Sequence, residues 1–471
     1  MKKQIISLLF ACCLMAGLSS CNDFLDIQPK GATLLDNLND LELLVNGSYS
    51  QSAWAYGNMG ILVNDVYGTS NSFLTTLAQT NTIAAAMLTY NESIDRAALT
   101  ESDAAYTRLY SVICSMNEVI RATPGVKGDE QRKAALIAQA KVVRAYFHYL
   151  MTLSFCKQYD SATAATEGGI PYVTDMKLAV ENPKLTLQET YDKMLEDCTD
   201  EILNALPENS GSITKPNKAF GYAVRAKILL QMKNYSEALK YAERSLQYNN
   251  TIEDRTPVIS QPKSFTRDQF AASNIFYAEA VSSGAGTYYI SYETEKLFED
   301  GDILKDYAIY SQTATRTVYV WNPTTITGLQ DPVLCWSAGS ACRFNSGGVT
   351  SEQMYYIAAE CRIRTGNVSG GLDLVNQVRR YRIDPAKYVP FAASSEADAM
   401  ALLQRAKRIE CLFTYNNYAD IKRWNSESAY RRAITRTLNG KTYTLQPDSP
   451  LWVMPFPKNA TEYNKSLTQN Y

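Results

Sequence analysis

The chain of 471 residues reads as mainly α, a run of helical hairpins carrying a loop-rich ligand-binding face. Three observations carry that reading. Apolar residues recur at three- and four-residue spacing through most of the chain, the period of one helix face. Two segments, Lys218 to Tyr248 and Met354 to Val378, share one pattern of small residues around a turn, offset by 133 positions. Between them, residues 250–350 lose the helical period and gain Thr, Ser, Gly, Pro and aromatic residues.

Taken in order, Leu38, Leu41, Leu44 and Val45 form the first stripe. Tyr106, Leu109, Tyr110, Ile113, Cys114, Asn117 and Ile120 form the second, stopped at Thr123 Pro124 Gly125 because Pro and Gly close helices. A third helix runs from about Asp129 to Phe155. Thr186 with Glu189 three residues on has capping-box spacing, and the stripe Tyr191, Met194, Leu195, Cys198, Ile202, Leu203 and Leu206 continues from it. Lys218–Tyr248 is a hairpin with Tyr222, Arg225, Ala226 and Leu229 before a turn at Asn234 Tyr235, and Ala238, Leu239 and Ala242 after it. Its small residues let two helices approach closely, as in one tetratricopeptide unit. The 133-residue shift puts Ala226 on Ala359, Ala238 on Gly371 and the turn on Asn367 Val368. Two pairs fall short of an independent solenoid, but residues 129–206 and the segment near 40–120 can supply more. In the irregular insertion at about 250–350, Thr287–Ile290 and Thr317–Val320 are β-like, so hairpins and loops are expected there. Scaffolds place ligand residues on such insertions.

The start of the chain has its own logic. Lys2 and Lys3 precede an apolar stretch, Ile5 to Leu18, that is too short for a span of about 20 residues. Leu18 Ser19 Ser20 Cys21 then reads as a lipobox. Residues 1–20 are expected to be a removable signal peptide, and Cys21 the lipidation site of a single domain, 21–471. Several acyl chains at about 0.8 kcal/mol per buried methylene hold a protein firmly on a membrane. An ordinary secretory signal with a chance cysteine is the alternative.

Composition excludes several function classes. Loss of Lys2 and Lys3 takes the formal charge from −2 to −4, which offers nothing to nucleic acid. No later segment approaches 18 uninterrupted apolar residues. The remaining cysteines, Cys114, Cys156, Cys198, Cys335, Cys342, Cys361 and Cys411, match neither a disulfide framework nor a metal or redox spacing. Buried thiols are expected, with Cys335 and Cys342 the only near pair to test as a bridge. His148, the only histidine, sits among Tyr146, Phe147 and Tyr149 and reads as a packing residue. No nucleophile elbow, phosphate loop or dinucleotide fingerprint occurs. Glu293, Glu295, Glu299, Asp300 and Asp302 suffice in number for a glycosidase pair or a calcium site, though a solvated acidic loop explains them more simply. No catalytic residue, metal or cofactor is expected.

Several separated motifs resemble one family in order. They are Cys21 Asn22 Asp23 Phe24 Leu25 Asp26 Ile27 with Pro29, then Gly168 Gly169 Ile170 Pro171 Tyr172 Val173, and Ser351 through Glu360. Arg408 Ile409 Glu410 Cys411 Leu412 Phe413 follow, then Asp420 Ile421 Lys422 Arg423 Trp424, and the tail from Met454 Pro455 Phe456 Pro457 to Tyr471. Over essentially the whole chain they resemble the SusD/RagB outer-membrane nutrient-binding lipoproteins of Bacteroidetes. Ala406, Thr414, Tyr415, Asn416 and Asn417 depart from that pattern, which has Glu, Glu, Gly, His and Arg there. The resemblance implies a lipid-anchored protein on the cell outer membrane that captures oligosaccharides, or in some members peptides. It also implies a SusC-like TonB-dependent transporter as partner and no bond making. Asp23 and Asp26 resemble the acidic residues that direct such lipoproteins to the outside.

The resemblance also implies that ligand-binding rings come from two regions outside the helical pairs. Here these are Tyr67 and Tyr90 with Asn71 on the first insertion, and Tyr288, Tyr289, Trp321 and Trp336 on the later loops. Ring faces cover the C–H faces of sugars, while amides pair with adjacent hydroxyls. At about 0.5–1.5 kcal/mol per ring, three or four rings give weak capture, near the millimolar level of about −4.1 kcal/mol.

Overall fold

The structure is a computed structural model, and it describes residues 37–47, 56–68, 76–77, 79–175, 181–260, 271–278, 287–307, 309–310, 318–321, 333–337 and 345–471. Cys21, Asn71, Cys342 and the expected signal segment lie outside the described residues.

Most helices start where a side chain takes an orphan N–H. Asn37 caps α1 (Leu38–Val45), and α2 (Tyr56–Leu62) leads into strand β1 (Val66–Gly68). Thr82 caps α3 (Ile83–Thr89). Asp103 caps α4 (Ala104–Ala122), and Asp129 caps α5 (Glu130–Phe155) by accepting from the Arg132 N–H at 2.8 Å. The expected stop at Thr123 Pro124 Gly125 is a 3₁₀ turn between α4 and α5, which pack together. From Val142 to Phe155 only buried residues occur, because α5 runs through the middle of the molecule and has neighbours on every side.

Strands β2 (Gly168–Pro171) and β3 (Lys184–Thr186) pair antiparallel ahead of α6 (Leu187–Glu196), which opens with the expected capping box. The stripe that runs to Leu206 is broken, however. Asp197 leaves the helix to hold Arg144 through two 2.7 Å contacts and the Tyr172 hydroxyl at 2.7 Å, and Thr199 then caps a separate α7 (Asp200–Ala205). A buried side-chain demand thus outweighs helical continuity.

The two similar segments fold alike. Helices α8 (Lys218–Gln231) and α9 (Tyr235–Tyr248) form the first hairpin. Strand β4 (Asn274–Phe276), the sheet described below and strand β9 (Val349–Thr350) intervene before α10 (Ser351–Arg364) and α11 (Val368–Arg379) form the second. Both starts and the first end match under the 133-residue shift, and so does the turn chemistry. Lys233 (φ 60°) and Gly366 (φ 92°) are left-handed, and the next residues, Asn234 and Asn367, cap the second helix. Gly371 is required where α11 meets α10, since a Cβ there would lie 2.7 Å from the Ala359 carbonyl oxygen and 2.5 Å from Ile363 Cγ1. The hairpins pack together through α9 and α10.

Within the insertion, strands β5 (Thr287–Ile290), β6 (Ile309–Tyr310), β7 (Val318–Trp321) and β8 (Val333–Ser337) join β1 in one sheet of order β1-β5-β8-β7-β6. Both β-like runs are therefore strands. Helices α12 (Glu396–Glu410) and α13 (Tyr415–Asn425) precede the hairpin of β10 (Ile434–Leu438) and β11 (Lys441–Leu445). Its turn, Asn439 Gly440, has two positive φ values, 50° and 73°, the twist that suits a two-residue hairpin. Cys156, Cys198, Cys361 and Cys411 are buried free thiols, and Cys114 is a half-buried one.

Candidate ligand-binding face

The five-stranded sheet joins the two regions that hold the ring residues. Val66 of β1 pairs with Ile290 of β5, so the first insertion and the later loops share one ladder. Across the centre, Tyr288 is opposite Trp336, and Trp336 is opposite Val318 on its other side. The next row is Tyr289, Cys335 and Tyr319, and Trp321 stands opposite Val333. The backbone register thus sets Tyr288 directly across from Trp336 on adjacent strands.

Three of the residues expected to touch ligand are buried. Tyr67 is 1% exposed, its ring lies edge-on to Tyr292, and its hydroxyl accepts the Tyr292 N–H at 3.2 Å. Tyr90 is buried beneath the Arg436 guanidinium, 4.4 Å from the ring centroid, and its hydroxyl accepts from Arg436 Nε at 3.0 Å. Tyr289 is also buried. Burial raises the phenol pKa of Tyr67 and of Tyr90. These rings brace the sheet from inside, and ring type alone does not separate a brace from a contact. The signal for Tyr67 was present in the apolar run Ile61 Leu62 Val63 just before it.

The acidic loop is also not simply solvated. Glu299 pairs with Arg379 at 2.6 Å, Asp300 with Lys387 at 3.0 Å, and Glu293 accepts from Asn64 Nδ2 at 3.4 Å. Asp302 is buried and accepts the backbone N–H groups of Leu304 and Lys305. Glu293, Glu299, Asp300 and Asp302 each have a different partner. Among the described residues, no three His, Cys, Asp or Glu side chains are grouped to hold a metal ion.

His148 is fully buried and stacks on Tyr172 at 3.8 Å. Its Nε2 accepts the Val173 N–H at 3.1 Å, which leaves the proton on Nδ1, donated to the Arg144 carbonyl at 2.8 Å. Burial holds its pKa down at about 3. It is a neutral packing residue.

Sequence reasoning missed the ionic framework built by the later motifs. Glu360 of α10 takes both Arg423 nitrogens at 2.8 Å and the Trp424 indole N–H at 2.9 Å. Asp420 holds Lys407 at 2.7 Å and Arg423 at 3.0 Å. At the departing positions neutral groups substitute. The Tyr415 hydroxyl meets that of Tyr146 at 2.8 Å, Asn416 accepts from Lys227 at 2.9 Å, and Asn417 donates to Asp65 at 2.8 Å. Arg408 of α12 also holds Asp65, at 3.1 Å, and donates to the Val63 carbonyl. The motif helices thereby grip the segment leading into β1 and position the edge of the sheet.

A family model described as "Starch-binding associating with outer membrane" matches residues 23–230, and one described as "SusD family" matches residues 353–471. The chain belongs to the SusD/RagB family. Its mainly α fold is that of solved members. A SusD superfamily protein from Bacteroides thetaiotaomicron aligns over 92% of this chain and 100% of its own, with TM-score 0.71 and 14% identity. A putative sugar binding protein from Bacteroides vulgatus aligns over 93% and 99%, with TM-score 0.67 and 17% identity. Surface glycan-binding protein A from Bacteroides uniformis aligns over 92% and 98%, with TM-score 0.65 and 13% identity. No curated protein sequence matches this chain. Neither SusD-family range includes residues 231–352, which contribute every strand of the five-stranded sheet except β1. Among the described residues, no helix is long and apolar enough to cross a membrane.

Proposed function

We propose that this SusD/RagB protein binds oligosaccharides at the cell surface, without transforming them, and delivers them to a SusC-like TonB-dependent transporter. The observation that supports the binding half is the backbone register of the sheet, which sets Tyr288 opposite Trp336, with Trp321 on the strand beside that of Trp336. Tyr and Trp rings are large, flat and apolar with a polar tip, which suits the C–H faces of sugars. Cys21 supplies the anchor, and Asn71 adds an amide for sugar hydroxyls. A site made of a few rings binds weakly and releases its cargo quickly. Confinement on one membrane raises the effective concentration of binder and transporter, so weak capture suits handover.

A glycan array and a peptide mixture, each followed by calorimetry on the mature chain, test the ligand. A glycan is expected to bind, and Trp336→Ala or Tyr288→Ala to weaken it about 2- to 10-fold each, the equivalent of one ring contact. Peptide binding with no glycan hit overturns the ligand assignment. Crosslinking in mild detergent is expected to recover a large β-barrel transporter. Its absence overturns the delivery half alone.

A further inference from the structure

The connection from β5 to β6 meets the end of α11 through a backbone clip. Asp302 forms an antiparallel bridge with Ile383, just beyond α11. The Ile303 N–H donates to the Arg382 carbonyl at 2.9 Å, and the Asp384 N–H donates to the Gly301 carbonyl at 2.8 Å. The Asp302 side chain, 4% exposed, caps the short helix Ile303–Tyr307 through the Leu304 and Lys305 N–H groups at 3.0 and 3.1 Å. It lines a small cavity whose other polar walls are Arg255, Glu299, Tyr356, Arg379, Arg382 and Glu410. All three guanidiniums are engaged by other carboxylates: Arg379 by Glu299, Arg382 by Glu352 and Glu410, and Arg255 by Glu253 and Glu410. Asp302 forms no ion pair among the described residues. On its own segment, Asp300 and Asp306 hold Lys387, and Tyr307 donates to Asp384.

We propose that Asp302 is a proton-operated latch, which fastens the β5–β6 connection to the end of α11 in acid and loosens it towards neutrality. A protonated Asp302 keeps an acceptor oxygen for the helix N–H groups and brings no charge into a cavity whose guanidiniums are already taken. An ionised Asp302 is a buried charge with no ion pair among the described residues, and although the two helix N–H groups and Arg255 favour it, opening of the clip to water favours it more. The titration fits this geometry. Burial pushes the carboxyl up to about 6 and Glu299 adds to the rise, against the Lys305 N–H, Arg255 and the Leu304 N–H. Because the folded value is raised, the closed form binds the proton more tightly than the open form. The stabilisation is complete below about 3.8 and is lost as pH rises through about 6.

Hydrogen exchange on the mature chain, read by mass spectrometry at pH 5 and 7.5 and corrected for intrinsic rates, tests the latch. Protection of residues 297–310 is expected to fall about tenfold from pH 5 to 7.5. Asp302→Asn is expected to abolish that pH dependence. Asp302→Ser, which keeps a capping oxygen but does not titrate, is expected to do the same and serves if the Asn variant fails to fold. No change in the wild type, an equal change in a folded variant, or an equal change across α4 and α5 overturns the proposal.

Discussion

His148 shows what burial does to a residue that elsewhere would invite a catalytic assignment. Both ring nitrogens are occupied and the neutral form is enforced, so the unfolded chain takes up the proton first as pH falls. The folded state therefore loses stability below about 6.5 and continues to do so towards 3, by about 1.4 kcal/mol per pH unit. Urea denaturation at pH 6.5 and 4.5 is expected to show a slope that shrinks by this amount in His148→Asn. Lys227 and Lys422 are buried and bonded to neutral oxygens, and burial lowers both to about 7. The unfolded chain then holds more protons between pH 7 and 10.5, so stability rises with pH across that window. Lys422→Met should flatten the rise measured by the same denaturation series. Arg423 is the opposite case, a fully buried cation matched by Glu360 and Asp420. Arg423→Met strands the Glu360 charge and should cost about 3–5 kcal/mol in urea denaturation, whereas Arg423→Met with Glu360→Gln should cost less.

At the scale of elements, helix boundaries follow local chemistry. The turn shared by the two hairpins uses a left-handed residue followed by a capping Asn in both copies. Asn234→Ala and Asn367→Ala should each cost about 1 kcal/mol, and their effects should add, because the turns share no partner. Thermal unfolding of the single and double variants measures this. Gly371→Val should cost more than either cap, since the close approach of α10 and α11 leaves no room for its side chain. Where local and tertiary demands conflict, as at Asp197, the helix breaks.

For the whole molecule, the helical scaffold and the sheet are separable in chemistry. Buried ion pairs among α10, α12 and α13 hold the scaffold, and Arg408 extends that hold to the segment before β1. Arg408→Ala should therefore weaken ligand binding through altered sheet position and also lower the thermal unfolding midpoint, because it takes the cation from the fully buried Asp65 carboxylate. Anchoring is independent of both. Cys21→Ala should leave the circular dichroism spectrum unchanged but move the protein out of the membrane fraction or block its maturation, read by fractionation and immunoblotting.

Periodicity and capping by themselves determined α4, α5, both hairpins and the two β-like runs at 287–290 and 317–320, because each depends on residues a few positions apart. The resemblance of Ser351–Glu360 and Arg408–Trp424 likewise located the segments that carry the framework. Only the tertiary structure decided which rings lie inside. Tyr90 is buried by Arg436, 346 positions away, and the β1 edge is set by an ion pair between Asp65 and Arg408, 343 positions apart. Asp302 likewise owes its lack of an ion pair among the described residues to three guanidiniums from two distant segments that other carboxylates had already taken. Local pattern specifies where the backbone turns, but burial and charge partnership are properties of a volume, and the sequence brings that volume together only by folding.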